Sequence, residues 1–140
     1  MINKLYSIPV LAASLCLVFA QVIQASTMSA ETVEGATTVE TQQAFDLFKQ
    51  GALFVDVRNG PAWEAGRIPG AVHLELKKVF SEASLGEEAA TDEAVVIYCN
   101  GPKCLRSAKA CSKAVGWGYT KVYYYREGYP AWQAASYPTE

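Results

Sequence analysis

The sequence predicts an α/β fold: a mainly parallel five-stranded sheet with helices on both faces. Two kinds of observation predict it. Residues 52–57 (ALFVDV) and 94–98 (AVVIY) are short, nearly continuous apolar runs, the pattern of strands buried on both sides. Stretches of helix-forming residues separate these and the other strand-like runs, and alternation of this kind implies crossover connections between parallel strands.

Taken in order, residues 36–39 (ATTV) form a short first strand. Thr41 is placed to cap a helix over 42–50, in which Ala44, Phe45, Leu47 and Phe48 make an apolar face, and Gly51 ends it. The strand at 52–57 is broken by Arg58-Asn59-Gly60-Pro61, and residues 62–66 make one helical turn. Pro69 and Gly70 then make a turn into a third strand at 71–74. Residues 75–85 are partly helical, and 86–93 form an acidic connection of small residues. The strand at 94–98 leads through a loop to a helix over 107–115. A fifth strand covers 121–125, and a last helix opens on Pro130, a residue favoured in a first turn.

The 140 residues are 51% hydrophobic with a net charge of −2, which suits one domain with a real core and excludes global disorder. No basic patch points to nucleic acid. Four cysteines are too few for a disulfide scaffold. Residues 1–25 read as a signal peptide: Lys4 precedes an apolar stretch over 8–18, and Ile23-Gln24-Ala25 suits cleavage after Ala25. That stretch is short for a membrane span, and Gln21 and Gln24 follow it, so an uncleaved anchor is disfavoured. Leu15 stands before Cys16 where a lipoprotein needs a small residue. Residues 26–36 read as a flexible linker and 37–140 as the domain. The destination expected is the periplasm, with no membrane attachment after cleavage.

The chemistry centres on Cys99-Asn100-Gly101-Pro102-Lys103-Cys104-Leu105-Arg106-Ser107. A thiol at a strand end, before a Gly-Pro turn and a helix start, faces backbone N–H groups and the positive end of a helix dipole. Both favour thiolate, the nucleophilic form. Functional groups in parallel sheets gather at the carboxyl ends of strands, where Asp56, Arg58 and Cys99 all fall.

Three separated segments resemble the rhodanese family of single-domain sulfurtransferases. The first is Phe54-Val55-Asp56-Val57-Arg58 with Trp63-Glu64-Ala65-Gly66-Arg67-Ile68-Pro69-Gly70-Ala71, where Arg67 replaces the family's usual His. The second runs from Tyr98-Cys99 to Arg106-Ser107. The third is Gly128-Tyr129-Pro130-Ala131-Trp132, where Glu127 replaces a Gly. The resemblance implies a rhodanese-like domain in which Cys99 attacks a small sulfur-containing anion such as thiosulfate. A persulfide forms and passes its outer sulfur to a thiol or cyanide-like acceptor. It implies that Asn100, Gly101, Lys103, Cys104, Leu105 and Arg106 bind substrate, with Arg106 as the anion clamp, and that no cofactor or metal is needed. The loop from Cys99 through Arg106 is longer than the family's usual one, because Lys103-Cys104-Leu105 fills the place of a single residue.

Several roles stay open at this level. Cys104 is a resolving thiol, a ligand for a soft metal such as Cu(I), or a bystander. Asp56 and Arg58 form a structural ion pair or support the loop, Asp56 by accepting N–H bonds and Arg58 at the pocket rim. His73, the only histidine, is assigned to structure, and Cys111 to core packing. The alternatives to sulfur transfer are a dithiol redox module using Cys99 and Cys104, phosphatase or arsenate-reductase-like anion chemistry, and a non-catalytic binding module.

Overall fold

The computed structural model describes residues 27–140. The expected signal peptide and its cleavage point lie outside them. In chain order the elements are β1 (Thr37–Thr38), α1 (Thr41–Lys49), β2 (Leu53–Asp56), α2 (Gly60–Glu64), β3 (Val72–His73), α3 (Glu82–Glu88), β4 (Val95–Tyr98), α4 (Arg106–Gly116), β5 (Val122–Tyr125) and α5 (Gly128–Ala134). The five strands form one sheet in the order β1-β5-β4-β2-β3, and every pairing is parallel. β4 is the centre, with Ile97 opposite Val55 on one side and Tyr124 on the other.

The alternation of side chains along β4 divides the core in two. Val95, Ile97 and Cys99 pack with Leu85 of α3 and with Ala110, Cys111 and Ala114 of α4. Val96 and Tyr98 face the other layer, with Ala44 of α1 and Trp132 of α5. Trp132 is fully buried, donates its indole N–H to the Pro138 carbonyl at 2.7 Å, and meets Phe45, Phe48 and Phe54 edge-on. Helices therefore cover both faces, which is why β2 reads as an apolar run broken only by Asp56 and β4 as a continuous one. Among the described residues no helix is long and apolar enough to cross a membrane.

Two helices start two residues early, α2 at Gly60 and α5 at Gly128 rather than at Pro130, and three further local expectations shift. The cap of α1 is Glu40, whose carboxylate and the Gln43 side chain form a reciprocal capping box. Thr41 instead turns toward Glu127, donating its N–H at 2.9 Å and its hydroxyl at 2.6 Å to Oε2. The helix expected within 75–85 forms later, at α3, because Ser81 caps it through the Ser84 amide. Residues 75–80 are a turn gathered on the Glu75 carbonyl, which accepts from the amides of Lys78, Val79 and Phe80. The segment before β1, expected to be flexible, is seated on the domain. Ser29 is buried, its N–H donates to the Pro102 carbonyl at 2.7 Å, and its hydroxyl accepts from the Tyr124 phenol at 3.0 Å. Arg126 Nη2 donates to the Ser29 carbonyl at 3.0 Å. A stretch of small polar residues carries no periodicity, so backbone docking of this kind leaves no mark in sequence.

Candidate active site

β4 ends at Tyr98, and Cys99 follows it fully buried at the sheet's carboxyl edge. The chain turns at Gly101, which takes φ +110°, and the Cys104 amide donates to the Gly101 carbonyl at 2.9 Å. That turn folds the loop back on its own start, and Cys99 and Cys104 are joined by a disulfide. The additional loop residues are thus drawn into a closed ring rather than into a wider mouth.

Two other segments hold the ring. Ser29 grips it at Pro102. Gly128 approaches the loop so closely that a β-carbon there would collide with the Cys99 carbonyl and the Gly101 amide. Gly128 takes φ +68°, and the following Tyr129 amide donates to the Cys99 carbonyl at 3.0 Å. Only glycine meets both demands without strain. This explains physically why the third sequence segment belongs to the site.

α4 begins at Arg106 with Leu105 as its cap residue, and no side chain satisfies its first amides. The positive end of an eleven-residue helix therefore opens on the loop. Asn100, Lys103, Cys104, Leu105 and Arg106 line one groove of 480 Å³, which they share with Lys77 and Lys109. None of the four cations pairs with a carboxylate among the described residues. Such a groove favours anionic ligands. Gly101 and Cys99, both buried, are not among its lining residues. Sequence reasoning missed Lys77 and Lys109. Lys77 comes from the turn at 75–80, whose position depends on Ser81, and Lys109 lies one helical turn beyond Leu105. Sequence reasoning gave no role to the Ser107 hydroxyl at the end of the loop or to Arg126 Nε, both buried and without a hydrogen-bond partner among the described residues. A larger cavity of 730 Å³ lies at the amino ends of β2 and β4, on the far edge of the sheet from Cys99.

Asp56 and Arg58 do not reach the loop through hydrogen bonds. Arg58 is buried rather than at the rim, and its guanidinium grips Asp56 through Nε at 2.9 Å and Nη2 at 2.6 Å. Nη2 also donates to the Gly66 carbonyl at 2.7 Å, and the guanidinium lies 4.5 Å from the Tyr129 ring. The pair fixes the turn after β2, and its contact with the loop passes through Tyr129. His73 stacks on Trp63 at 4.8 Å with Nε2 2.9 Å from the Arg58 carbonyl, a structural position. Arg67, in place of the family's His, bridges to Glu140 at 2.9 Å and lies over Trp63.

Cys111 is fully buried, and burial pushes its thiol well above the usual range. It should therefore escape labelling by iodoacetamide at pH 8 in the folded, reduced protein, while Cys104 is alkylated. Peptide mapping before and after denaturation checks this; labelling of folded Cys111 at the rate of Cys104 would contradict the packing described.

The domain thus places a cysteine at the end of its central parallel strand, a helix start without a side-chain cap seven residues on, and four cations around the adjoining groove, an arrangement that can attract a small anion. The chain belongs to the rhodanese-like domain family, whose profile matches residues 40–135. It is 35% identical over 102 residues to the thiosulfate sulfurtransferase GlpE of Pseudomonas syringae pv. syringae (strain B728a), covering 73% of this chain and 91% of that protein. Its fold matches the rhodanese-like domain of the Alr3790 protein from Anabaena sp. with a TM-score of 0.63 at 19% identity, covering 74% of this chain and 77% of that one. It also matches the protein RPA3614 of Rhodopseudomonas palustris CGA009, described as a possible tyrosine phosphatase. There the TM-score is 0.58 at 29% identity, over 75% of this chain and 85% of that one.

Proposed function

We propose that the chain is a rhodanese-type sulfurtransferase that carries sulfane sulfur as a persulfide on Cys99. The observation that carries this reading is the placement of Cys99 at the end of β4. The loop around it is held by Gly128 and Tyr129 of the family's C-terminal segment and opens on the uncapped start of α4. The Cys99 thiolate attacks the outer sulfur of thiosulfate or a similar anion, and sulfite leaves with the electron pair of the broken S–S bond. Arg106 and the first amides of α4 hold the anion's oxygens, and Lys103 raises the local positive potential. The similarity to thiosulfate sulfurtransferases supports this choice of donor.

The disulfide to Cys104 leaves Cys99 without a thiolate, so activity requires reduction first. After reduction, thiosulfate and cyanide should yield thiocyanate, and Cys99→Ser should lower the rate by at least about a thousandfold, as loss of a catalytic nucleophile does. Equal rates for the two proteins would refute catalysis through Cys99. The disulfide also favours a second reading, a dithiol redox module in which the pair simply cycles. That reading predicts no sulfite from thiosulfate, and the sulfurtransferase reading predicts its formation. The hydropathy pattern of residues 1–25 supports export to the periplasm, and a secreted form beginning at Ser26 tests that.

A further inference from the structure

We propose that Cys104 resolves the Cys99 persulfide within the chain, so that sulfur leaves as sulfide and a dithiol reductant resets the resulting disulfide. The proposal rests on the sulfur-transfer reading and names what that reading leaves open, the acceptor and the product.

Three observations carry it. First, the Cys99–Cys104 bond joins the same two atoms that the resolving step would join, on a loop already folded back by the Cys104–Gly101 hydrogen bond. Attack by Cys104 on the Cys99 sulfur therefore needs no new loop path. Second, the two sulfurs differ in access: Cys99 is fully buried, while Cys104 is half-buried and lines the groove. A bulky external thiol meets Cys104 first, and Cys104 is the thiol nearest the buried persulfide. Cys111, the other cysteine among the described residues, is a core side chain on α4. Third, Lys77, Lys103, Arg106 and Lys109 surround the mouth in which Cys104 stands, a setting that favours its thiolate and draws in an anionic donor.

The cycle balances. The Cys99 thiolate takes the outer sulfur of thiosulfate, releasing sulfite and leaving a persulfide. The Cys104 sulfur attacks the Cys99 sulfur, the bond to the outer sulfur breaks, and that sulfur departs as hydrosulfide with the Cys104 proton. The two cysteines have then lost two electrons to the departing sulfur. A dithiol supplies these back, its thiolate attacking the accessible Cys104 sulfur and expelling Cys99 as thiolate, and its second thiol closing to release it. The leaving sulfur is the one at the strand end before α4, where negative charge is favoured, so exchange in this direction regenerates the nucleophile.

The test is a single turnover of reduced, desalted protein with thiosulfate and no added thiol, with sulfite, sulfide and protein mass measured together. Wild type should release sulfite and sulfide in equal amounts and end as the Cys99–Cys104 disulfide. Cys104→Ser should release sulfite, keep the added sulfur on Cys99, and lose the sulfide signal. Sulfite without sulfide from the wild type, with a lasting persulfide, would overturn the proposal and leave sulfur transfer standing. Absence of sulfite from both proteins would overturn sulfur transfer and the proposal together. The wild-type ratio of sulfide to sulfite decides the matter even where the variant fails to fold.

Discussion

Asp56→Ala should destabilise the protein by about 3–5 kcal/mol, the cost of leaving a buried charge without its partner. Arg58 is all but sealed from solvent and its guanidinium is spent on Asp56, the Gly66 carbonyl and the faces of Tyr98 and Tyr129. With the carboxylate gone, the charge either stays buried and unpaired or drags the turn after β2 open. The double substitution Asp56→Leu with Arg58→Met removes both charges and should recover more than half of that loss. Urea midpoints for Asp56→Ala and for the double substitution decide it. A loss under about 1 kcal/mol for Asp56→Ala, the range of an exposed pair, would contradict this account of a buried one.

Gly128→Ala should cost about 2–4 kcal/mol and lower sulfurtransferase activity on the order of a hundredfold. Two effects add. The residue sits at φ +68°, and its new β-carbon would press on the Cys99 carbonyl and the Gly101 amide. Relief can come only by moving the loop that carries the nucleophile. Gly51→Ala separates the two effects: its φ is +82°, yet nothing lies within 4 Å of the new carbon. It should cost about 1 kcal/mol from backbone conformation alone, with activity retained. Equal losses of activity in the two variants would show that close approach to the Cys99 loop is not what Gly128 provides.

The fold was legible because its central strands are buried on both faces and their apolar runs are short and bounded. Their parallel direction follows from the crossovers that those runs imply, but the order β1-β5-β4-β2-β3 does not, since a crossover leaves open which strands lie side by side. The boundaries that moved were set by side chains competing for helix ends. Thr41 looks like a cap in isolation, but the Glu127 carboxylate, distant in sequence, takes its amide and hydroxyl, leaving the cap to Glu40. At the site, the loop announced itself through Cys99 and the helix after it. The docking of Ser29 on Pro102 was not legible, since one backbone N–H donating to one carbonyl involves no special residue type. Lys77 and Lys109 were hidden for another reason: a cationic groove is a property of assembled surfaces, and nothing marks these lysines until the turn at 75–80 and the first turns of α4 meet. Arg58 stood at the right strand end, but its pairing with Asp56 turned it inward and away from the rim.

The most direct test of the central claim is the mass of the cysteine peptides after reduced Cys104→Ser protein meets thiosulfate. In that background no neighbouring thiol can discharge the sulfur. The peptide containing Cys99 should gain one sulfur atom, removed by cyanide as thiocyanate, with Cys111 unmodified. An unmodified Cys99 peptide, in protein whose fold and free thiols are intact, would contradict that claim.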